Sequence, residues 1–386
     1  MIQYDTRKIN MNDIFLAIDK GQNYITKELI EKTKKIIKID KKSVFKYLST
    51  LWTLDMDKIQ IIGITGTNGK TTVTYLVHEI LQQAGAKPRV IGTINSPLTT
   101  PEIFDLLSII KDMLEKKETH LIMEVSSIGI EENRIYGLPF TVKLLTNITQ
   151  DHLDYHKTFK NYVNAKFKFL TNPFGKTIYP STYKQVKLNF EHKLIGKFNE
   201  NNLKAAFAIC QALNIPIKTI ELALANALPP KGRFEKVAIH KTYTVVVDYA
   251  HTPDSLDNVL KEARKLTNTK LITVFGAGGD RDNKKRPLMG KVADKWADTI
   301  IVTSDNPRTE DPQTIIDQIA SGITNKNKLI IQIDRKEAIK KALEIAKEKD
   351  FIMIAGKGHE DYQIIGVNKS HFDDSEVVKE LALCIQ

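Results

Sequence analysis

The sequence predicts an α/β fold built from a short N-terminal α/β piece and two larger domains with parallel sheets. Short runs of β-branched residues alternate with longer segments of helical periodicity, which is typical of parallel sheets covered by helices on both faces. This pattern breaks twice, near residues 55–58 and 228–232. We therefore predict three domains, over residues 1–57, 58–230 and 231–386.

The N-terminal piece is short and rich in lysine. The run 13–18 has the composition of a strand. Residues 27–39 carry apolar side chains at helical intervals, which predicts a helix.

The central domain opens with a predicted strand over residues 59–64, followed by a glycine-rich turn and a helix over 72–84 that ends at Gly85. Further strands are predicted over 121–125 and 143–146, again separated by helical segments. The order strand, loop and helix is the unit from which parallel sheets are built.

The C-terminal domain repeats this alternation of strands and helices. Its predicted strands lie over residues 244–247, 271–275, 299–303, 329–333 and 351–355. We expect an open, Rossmann-like α/β sheet with ligands at the carboxyl ends of its strands.

The composition excludes several classes of protein. The chain has 386 residues, of which 42% are hydrophobic and 27% charged, so it is neither disordered, collagen-like nor a disulfide scaffold. Its two cysteines, Cys210 and Cys384, form no metal-ligand pattern. No window approaches the roughly 18 consecutive apolar residues of a membrane span, and residues 1–10 contain no apolar signal core. We expect an unprocessed cytoplasmic protein without a membrane span.

The formal net charge is +11, which can indicate nucleic acid, an anionic membrane or a small acidic substrate. The basic residues are spread along the chain, which is more typical of a generally lysine-rich composition than of a nucleic-acid-binding surface. The central domain nevertheless has the largest excess. We expect a small acidic partner there rather than nucleic acid.

The sharpest motif is the turn between the first strand and helix of the central domain, which consists of Gly66, Thr67, Asn68, Gly69, Lys70, Thr71 and Thr72. Backbone N–H groups and a helix N-terminus can cradle phosphate oxygens, the lysine can neutralise their charge, and the threonine hydroxyl can reach Mg²⁺. A full Walker A loop has a glycine where this chain has Ile64, so the loop is shorter. We predict a P-loop-type ATPase domain.

Two further clusters contain candidate metal ligands. Glu124 ends a predicted strand, and His152 lies in a polar loop after another strand. Glutamate is an ordinary ligand of Mg²⁺ and histidine an unusual one. Taken alone, this loop is more typical of a surface turn than of a metal site, and Lys166 of a solvated lysine.

These residues carry a resemblance to the Mur ligase family, most closely to its UDP-N-acetylmuramoyl-tripeptide synthetases. Beyond the phosphate turn, the matching segments are 98–101, 123–127, 146–147 with 151–156, 165–166, 232–235, 247–253, 278–282, 305–308 and 356–360. They follow the family order from about residue 59 to 363, which chance does not produce.

The resemblance implies ATP-dependent synthesis of an amide bond through an acyl phosphate. Lys70 and Mg²⁺ would stabilise the charge of the transferred phosphoryl group, with Thr71, Glu124 and His152 among the metal ligands. The resemblance also implies that CO₂ carbamylates Lys166. The modification would turn a cation into an anionic oxygen donor that can face a second Mg²⁺.

The resemblance further assigns residues to the two nucleotides. For ATP, Arg233 would contact the γ-phosphate, Asp248 the ribose, and Asn199 and Asn202 would lie near the adenine, with domain closure completing the site. The UDP-linked substrate would be held by four residues of the central domain, namely Thr99, Thr100, Ser126 and Arg134.

The incoming amino acid is expected to be meso-diaminopimelate, because the family motif for it is intact at residues 305–308. It would be bound by Asp305, Asn306, Arg308, Arg281, Gly356 and Glu360. Guanidinium groups bind carboxylates bidentately, so Arg308 and Arg281 suit the distal carboxylate that lysine lacks. The family implies a monomer that works in peptidoglycan synthesis.

Two departures accompany the resemblance. Only residues 1–57 precede the ATPase strand, about half of the usual uridine-binding domain, and Ile128 stands where a histidine usually follows the two serines. The alternatives are a lysine-adding, peptide-recycling or folylpolyglutamate ligase. Two alternatives belong to other classes of protein, namely a nucleic-acid-dependent P-loop NTPase and a non-catalytic binding protein. The NTPase would need aromatic residues interleaved with a basic groove, and the sequence contains no such stretch.

Overall fold

The computed structural model describes residues 2–237, 239 and 241–384. The chain divides into two compact units. The first consists of Met1–Ile148, Tyr155–Glu191 and Asn201–Asn226, and the second of Thr149–Asp154, His192–Glu200 and Ala227–Gln386. The three domains predicted from the sequence stay a prediction.

The first unit begins with a small parallel sheet in the order β1-β2-β3. Its strands are β1 (Ile2–Gln3), β2 (Ile14–Ile18) and β3 (Lys35–Ile39), and helices α1 (Lys27–Lys32) and α2 (Val44–Leu51) accompany them. The prediction of one helix over residues 27–39 was wrong in its second half. Thr33 leaves the helical conformation, and the β-branched residues that follow pair with β2 as a strand.

A five-stranded parallel sheet in the order β5-β6-β4-β7-β8 forms the centre of this unit. Its strands are β4 (Gln60–Thr65), β5 (Pro88–Ile91), β6 (His120–Glu124), β7 (Phe140–Leu145) and β8 (Lys176–Ile178). The central strand β4 leads directly into the phosphate turn. Ile64 is a buried residue of this strand, so the turn starts later than in a Walker A loop.

Helices separate or follow these strands, in keeping with the predicted alternation. They are α3 (Lys70–Gln83), α4 (Ile103–Glu115), α5 (Ser127–Glu131), α6 (Leu153–His156), α7 (Phe159–Leu170), α8 (Pro180–Tyr183), α9 (Lys197–Ala212) and α10 (Ile217–Asn226).

The N-terminal piece shares a hydrophobic core with the five-stranded sheet. Leu16, Val44 and Leu48 belong to the same buried cluster as α4. The rings of Tyr4 and Trp52 pack on Phe104 with centroid distances of 4.8 and 5.6 Å. Burial of this apolar surface stabilises the short piece against the central sheet.

The second unit contains a six-stranded sheet in the order β13-β12-β11-β14-β10-β9, parallel except for β9. Its strands are β9 (Glu235–Lys236), β10 (Thr244–Asp248), β11 (Leu271–Phe275), β12 (Thr299–Val302), β13 (Leu329–Ile331) and β14 (Phe351–Ala355). The helices are α11 (Pro253–Leu266), α12 (Lys285–Trp296), α13 (Pro312–Ser321), α14 (Arg335–Ile345) and α15 (Asp374–Cys384). A hydrophobic cluster lies on each face of the sheet.

An antiparallel hairpin, β15 (Tyr362–Ile365) and β16 (Asn368–His371), follows the last strand of this sheet. The prediction of an α/β fold with parallel sheets is confirmed in both units. No helix in the described part of the chain is both long and apolar enough to cross a membrane.

Candidate active site

The phosphate turn has a backbone conformation that only glycine accommodates. Gly66 and Gly69 have φ of +148° and +86°. A Cβ at Gly66 would lie 1.8 Å from Thr146 Oγ1, and one at Gly69 would lie 2.5 Å from Asn202 Oδ1. Both contacts are shorter than any real Cβ contact, so both glycines are required by close packing as well as by φ.

Two residues at the end of the neighbouring strand β7 anchor the turn. The Thr67 N–H donates to Asn147 O, and the Asn68 N–H donates to Asn147 Oδ1, over 2.9 Å each. Thr146 Oγ1 donates to Asn68 O over 2.7 Å. The turn therefore has a fixed shape before any ligand binds, which reduces the entropy cost of binding phosphate.

Lys70 is the first residue of α3, and its side chain folds back over the turn. Its Nζ donates to Gly66 O over 3.0 Å and to Thr67 O over 2.8 Å. A positive charge therefore lies at a helix N-terminus beside a glycine-rich turn, the combination that binds phosphate groups in proteins.

Glu124 ends β6 with a fully buried carboxylate that three donors hold in place. Thr71 Oγ1 and Thr93 N donate to Glu124 Oε1 over 3.0 and 2.9 Å, and Thr93 Oγ1 donates to Oε2 over 3.1 Å. Gly92 packs so closely that a Cβ there would lie 2.2 Å from Oε1.

The donor set around Glu124 fits Mg²⁺. This ion prefers oxygen ligands and is usually held by one or two carboxylates together with substrate phosphates and water. Glu124 and the Thr71 hydroxyl supply such oxygens beside the phosphate turn. The described residues contain no group of three or more His, Cys, Asp or Glu side chains that could hold a metal alone.

Lys166 lies on α7 with only 1% of its surface exposed. Its Nζ donates to Gly66 O over 2.9 Å and lies 4.7 Å from the centroid of the Tyr162 ring. The Tyr162 hydroxyl is 2.9 Å from Thr67 Oγ1. Tyr162 and Lys166 are one helical turn apart, so α7 presents both to the phosphate turn.

The residues expected to bind the UDP-linked substrate lie next to Glu124. Thr100 Oγ1 donates to Glu124 O over 2.9 Å and accepts from Ser126 N over 2.9 Å. Arg134 Nη1 donates to Thr100 O over 3.0 Å, and Thr99 Oγ1 is 3.2 Å from Thr93 Oγ1. The structure therefore brings these four predicted residues together at one end of the sheet.

The second unit contains Arg233 and Asp248, and Tyr249 lies beside both. The Arg233 guanidinium stacks 4.6 Å from the centroid of the Tyr249 ring, and its buried Nε has no hydrogen-bond partner among the described residues. Asp248 accepts from the backbone N–H groups of Phe234 and Ala250 over 2.7 and 2.8 Å. Burial raises the pKa of Asp248 to about 6, although the positive charge of Arg233 lowers it.

Two more predicted residues belong to this unit. His152 has φ +52°, lies on a half-exposed turn and is 3.5 Å from the carboxylate of Asp151. Asn199 is buried and donates from Nδ2 to Ile195 O over 2.9 Å. Asn202, by contrast, is in the first unit, against Gly69 of the phosphate turn.

The motif at residues 305–308 follows β12, and its side chains face the loop after β14. Asn306 Nδ2 donates to Glu360 Oε2 over 2.8 Å. A Cβ at Gly356, which has φ +116°, would lie 2.6 Å from Asp305 Oδ2. Burial, together with the Asp305 carboxylate, raises the pKa of Glu360. Two carboxylates in one partly buried site favour a cation, and the buried Lys357 ammonium, 3.9 Å from Glu360 Oε2, supplies part of that charge.

Cationic side chains lie beside these carboxylates. Arg308 Nη1 donates to Gly279 O over 2.8 Å, which ties the motif to the loop that carries the exposed Arg281. The buried Arg286 supports the same loop, and its guanidinium donates to both oxygens of Glu310 over 2.7 and 2.8 Å. The site thus combines anionic and cationic groups, as a zwitterionic ligand requires.

Two family models match the chain, the Mur ligase middle domain over residues 64–180 and the Mur ligase glutamate ligase domain over residues 232–358. The chain belongs to the Mur ligase family. The resemblance inferred from the sequence motifs is confirmed. The matched regions contain the phosphate turn in the first unit and the residue 305–308 motif in the second.

This Mur ligase is similar to curated proteins named UDP-N-acetylmuramoyl-L-alanyl-D-glutamate–2,6-diaminopimelate ligase. The one from Clostridium tetani is 38% identical, and the alignment covers 98% of this chain and 94% of the relative. The one from Aquifex aeolicus is 42% identical and covers 84% of this chain and 78% of the relative. A solved structure of a protein with this name has 28% identity and a TM-score of 0.65, with 99% and 94% of the two chains covered.

Several residues of these sites were missed by the sequence analysis. Thr93 follows β5, a strand that was not predicted, although the strand-end rule that identified Glu124 also applies to it. Tyr162 could have been identified from its helical spacing, because it lies one turn before Lys166. Arg286 and Glu310 lie 24 residues apart, and no local pattern identifies their contact.

Proposed function

We propose that this Mur ligase joins meso-diaminopimelate to UDP-N-acetylmuramoyl-L-alanyl-D-glutamate with hydrolysis of ATP, in peptidoglycan synthesis. The observation that carries the proposal is the site around residues 305–308, where the charges of both Asp305 and Arg308 act on the carboxylate of Glu360. A diaminopimelate side chain ends in a carboxylate and an ammonium, which match these charges. The side chain of lysine ends in an ammonium alone.

The first step is the transfer of the ATP γ-phosphoryl group to the substrate carboxylate, which gives an acyl phosphate. The turn around Gly66 and Gly69 binds the phosphates through its backbone N–H groups, and Lys70 neutralises the charge that develops on the transferred group. Glu124, Thr71 and His152 are the proposed ligands of Mg²⁺, which when bound screens the phosphate charges.

Lys166 is proposed to act as a carbamate. Its burial and its position one helical turn from Tyr162 support this role, because an anionic carbamate in a buried site would complement the cations of the phosphate site. The side chain approaches the phosphate turn at Gly66 O, so a modified group there would lie beside the transferred phosphoryl.

The UDP-linked substrate is proposed to bind at Thr99, Thr100, Ser126 and Arg134. Its diphosphate and carboxylates complement the positive charge of the chain. The N-terminal piece shares a core with this unit, and we include it as the binding element for the uridine.

In the second step the amine of diaminopimelate attacks the acyl phosphate and releases phosphate. Arg308 and Arg281 bind the distal carboxylate, while Glu360 and the backbone at Gly356 bind the distal ammonium. Ionised Glu360 is the form that binds this ammonium, and the bound cation offsets the burial that raises the pKa of Glu360.

Arg233, Asp248, Asn199 and Asn202 are proposed ATP contacts. The partly unsatisfied guanidinium of Arg233 supports a phosphate contact, since a buried donor without a partner favours an anionic ligand. We propose a monomer, as the resemblance to the family implies. Because the reaction uses ATP and a UDP-linked substrate, we also propose that it takes place in the cytoplasm and involves no nucleic acid.

The test is a phosphate-release assay with the UDP-linked substrate, ATP and a panel of amino acids. We expect turnover with meso-diaminopimelate and little with L-lysine. Replacement of Arg308 by Leu should lower kcat/KM for diaminopimelate by about 10- to 150-fold, the effect of losing charged hydrogen bonds, and should leave the low lysine activity unchanged. Arg308→Lys is the matched control for charge without the guanidinium fork. Equal turnover of both amino acids by the wild type would refute the proposal.

The carbamate has its own test. Lys166→Ala should nearly abolish phosphate release, and added short carboxylates should restore part of it, because they can occupy the space of the carbamate oxygens. Mass spectrometry or ¹³C NMR after equilibration with ¹³CO₂ should detect the adduct in the wild type. Wild-type activity in Lys166→Ala, or no labelled adduct, would eliminate this part of the proposal.

A further inference from the structure

Arg308 has a backbone conformation that is unusual for an arginine. Its φ is +53°, in the left-handed region, which costs a residue with a Cβ roughly 1–2 kcal/mol. Such a conformation persists only where the surrounding structure holds it. The contacts of its main chain therefore indicate what determines the direction of the guanidinium.

Both main-chain groups of Arg308 bond to the β15–β16 hairpin. Arg308 N donates to Ile364 O over 3.1 Å, and Gly366 N donates to Arg308 O over 2.7 Å. The pairing forms an isolated parallel bridge between Arg308 and Ile365. The hairpin thus pairs with the motif as a strand would, and Arg308 is held by one hydrogen bond on each side.

The hairpin also holds two other residues of the motif. Ile364 N donates to Asn306 Oδ1 over 2.9 Å, and Gln363 Nε2 donates to Asp305 O over 2.9 Å. The Ile364 bond, together with Lys357 Nζ, which donates to the same Oδ1 over 3.3 Å, orients the Asn306 amide so that its Nδ2 donates to Glu360. One short element therefore orients the cationic and the anionic halves of the site together.

The hairpin contributes little to the core of its unit. Residues 362–371 are absent from the buried clusters on either face of the six-stranded sheet. All four residues of β16 are exposed, as are 94% of Val367 and 52% of Ile365. Its hydrogen bonds with the motif can therefore change without loss of the core.

We infer that the β15–β16 hairpin is a specificity element that positions Arg308 and Asn306 for an amino acid with a second carboxylate. This inference rests on the proposed function and deepens it. Gly366 and Gln363 are its positioning residues: neither touches the reacting atoms, and each acts through the motif. The hairpin sets the selectivity for the incoming amino acid and leaves binding of ATP and the UDP-linked substrate unaffected.

Gly366 offers a precise way to disturb the hairpin. It has φ +60° in the two-residue loop, and no atom lies within 4 Å of a Cβ built there. Gly366→Ala therefore strains the backbone without a steric clash, and the turn relaxes by moving Gly366 N away from Arg308 O. Val367→Ala is the matched control, because it changes the same turn at a side chain that is 94% exposed.

The experiment measures KM for each of the three substrates and the ratio of kcat/KM for diaminopimelate over lysine. Gly366→Ala should raise KM for diaminopimelate about tenfold and lower the ratio by a similar factor, with the other two KM values unchanged. Gln363→Met, which keeps the size of the side chain and removes its donor, should act in the same direction. Val367→Ala should match the wild type. In an Arg308→Leu background, Gly366→Ala should have little further effect on the ratio, because the hairpin acts through Arg308.

An unchanged KM and ratio in both hairpin variants would overturn the inference, as would a parallel rise of all three KM values. An additive loss in the Arg308→Leu background would also overturn it. A wild-type enzyme that releases no phosphate with diaminopimelate would instead refute the proposed function. The two failures are therefore distinguishable.

Discussion

Removal of the Arg286 guanidinium should destabilise the second unit and loosen the amino-acid site. Its side chain is fully buried, and it makes four hydrogen bonds. Two go to the Glu310 carboxylate over 2.7 and 2.8 Å, one to Gln318 Oε1 over 2.7 Å and one to Gly278 O over 3.1 Å. Glu310 in turn accepts from the backbone N–H of Asp280 over 2.6 Å. Arg286→Met keeps an unbranched apolar stem and removes the guanidinium that makes all four bonds.

The expected magnitude follows from the burial of the two partners. Breaking a buried ion pair by removing one partner costs about 3–5 kcal/mol. Glu310 remains 30% exposed, so water can solvate its carboxylate in the variant, which favours the lower end of this range. Arg286 Nε has no hydrogen-bond partner in the described structure, and its removal offsets part of the loss. We expect a net loss of about 2–3 kcal/mol.

The chain has two tryptophans, which make a selective assay possible. Trp52 lies in the first unit and Trp296 in the second, so in a Trp52→Phe background the fluorescence reports on the second unit. Arg286→Met should lower the urea midpoint by about 1 M, given a typical slope of 1–3 kcal/mol/M. It should also raise KM for the amino acid more than KM for ATP. Lys336→Met, which breaks an exposed ion pair with Glu380, is the control and should change stability by about 0.5 kcal/mol or less. An unchanged midpoint in Arg286→Met would show that the reasoning from burial is wrong.

Three further predictions concern the phosphate turn, the Glu124 carboxylate and Asp248. Gly69→Ala should raise KM for ATP at least tenfold in the phosphate-release assay, since its φ of +86° and the 2.5 Å approach to Asn202 leave no room for a Cβ; a KM equal to that of the wild type would contradict this. Thr93→Val should raise the Mg²⁺ concentration for half-maximal turnover about tenfold, because Glu124 loses the hydroxyl that holds Oε2, and Thr93→Ser should restore it; a Val variant with normal Mg²⁺ dependence would exclude this role. Burial raises the pKa of Asp248 from 3.8 to about 6, so the folded state binds the proton of this group more tightly than the unfolded state does. The free energy of unfolding of the wild type should therefore fall by up to about 3 kcal/mol as pH rises through this window. Urea unfolding at pH 4.5 and 7 should show this fall in the wild type and not in Asp248→Asn, and the same change with pH in both proteins would argue against it.

The parts of the fold that depend on neighbours in sequence were predictable. A β-branched strand, a glycine-rich turn and a helix follow one another over residues 59–84, and local hydrogen bonding and burial of one strand are enough to specify that unit. The strand-end position of Glu124 followed from the same rule. Residues 27–39 show where this reasoning fails. The periodicity allowed a helix throughout, but pairing with β2 stabilises Lys35–Ile39 as a strand.

The composition and the order of motifs by themselves determined the α/β class, the phosphate turn and the Mur ligase family, because each is written in contiguous residues. Only the tertiary structure decided which distant groups meet. It placed Thr93 on Glu124, Arg286 on Glu310, and the β15–β16 hairpin on Arg308. These contacts join residues that lie far apart in the chain, and their free energy comes from burial and hydrogen bonding that exist only after the sheets have formed. For that reason the sequence identifies the motif that binds a ligand, whereas the fold identifies what holds the motif in position.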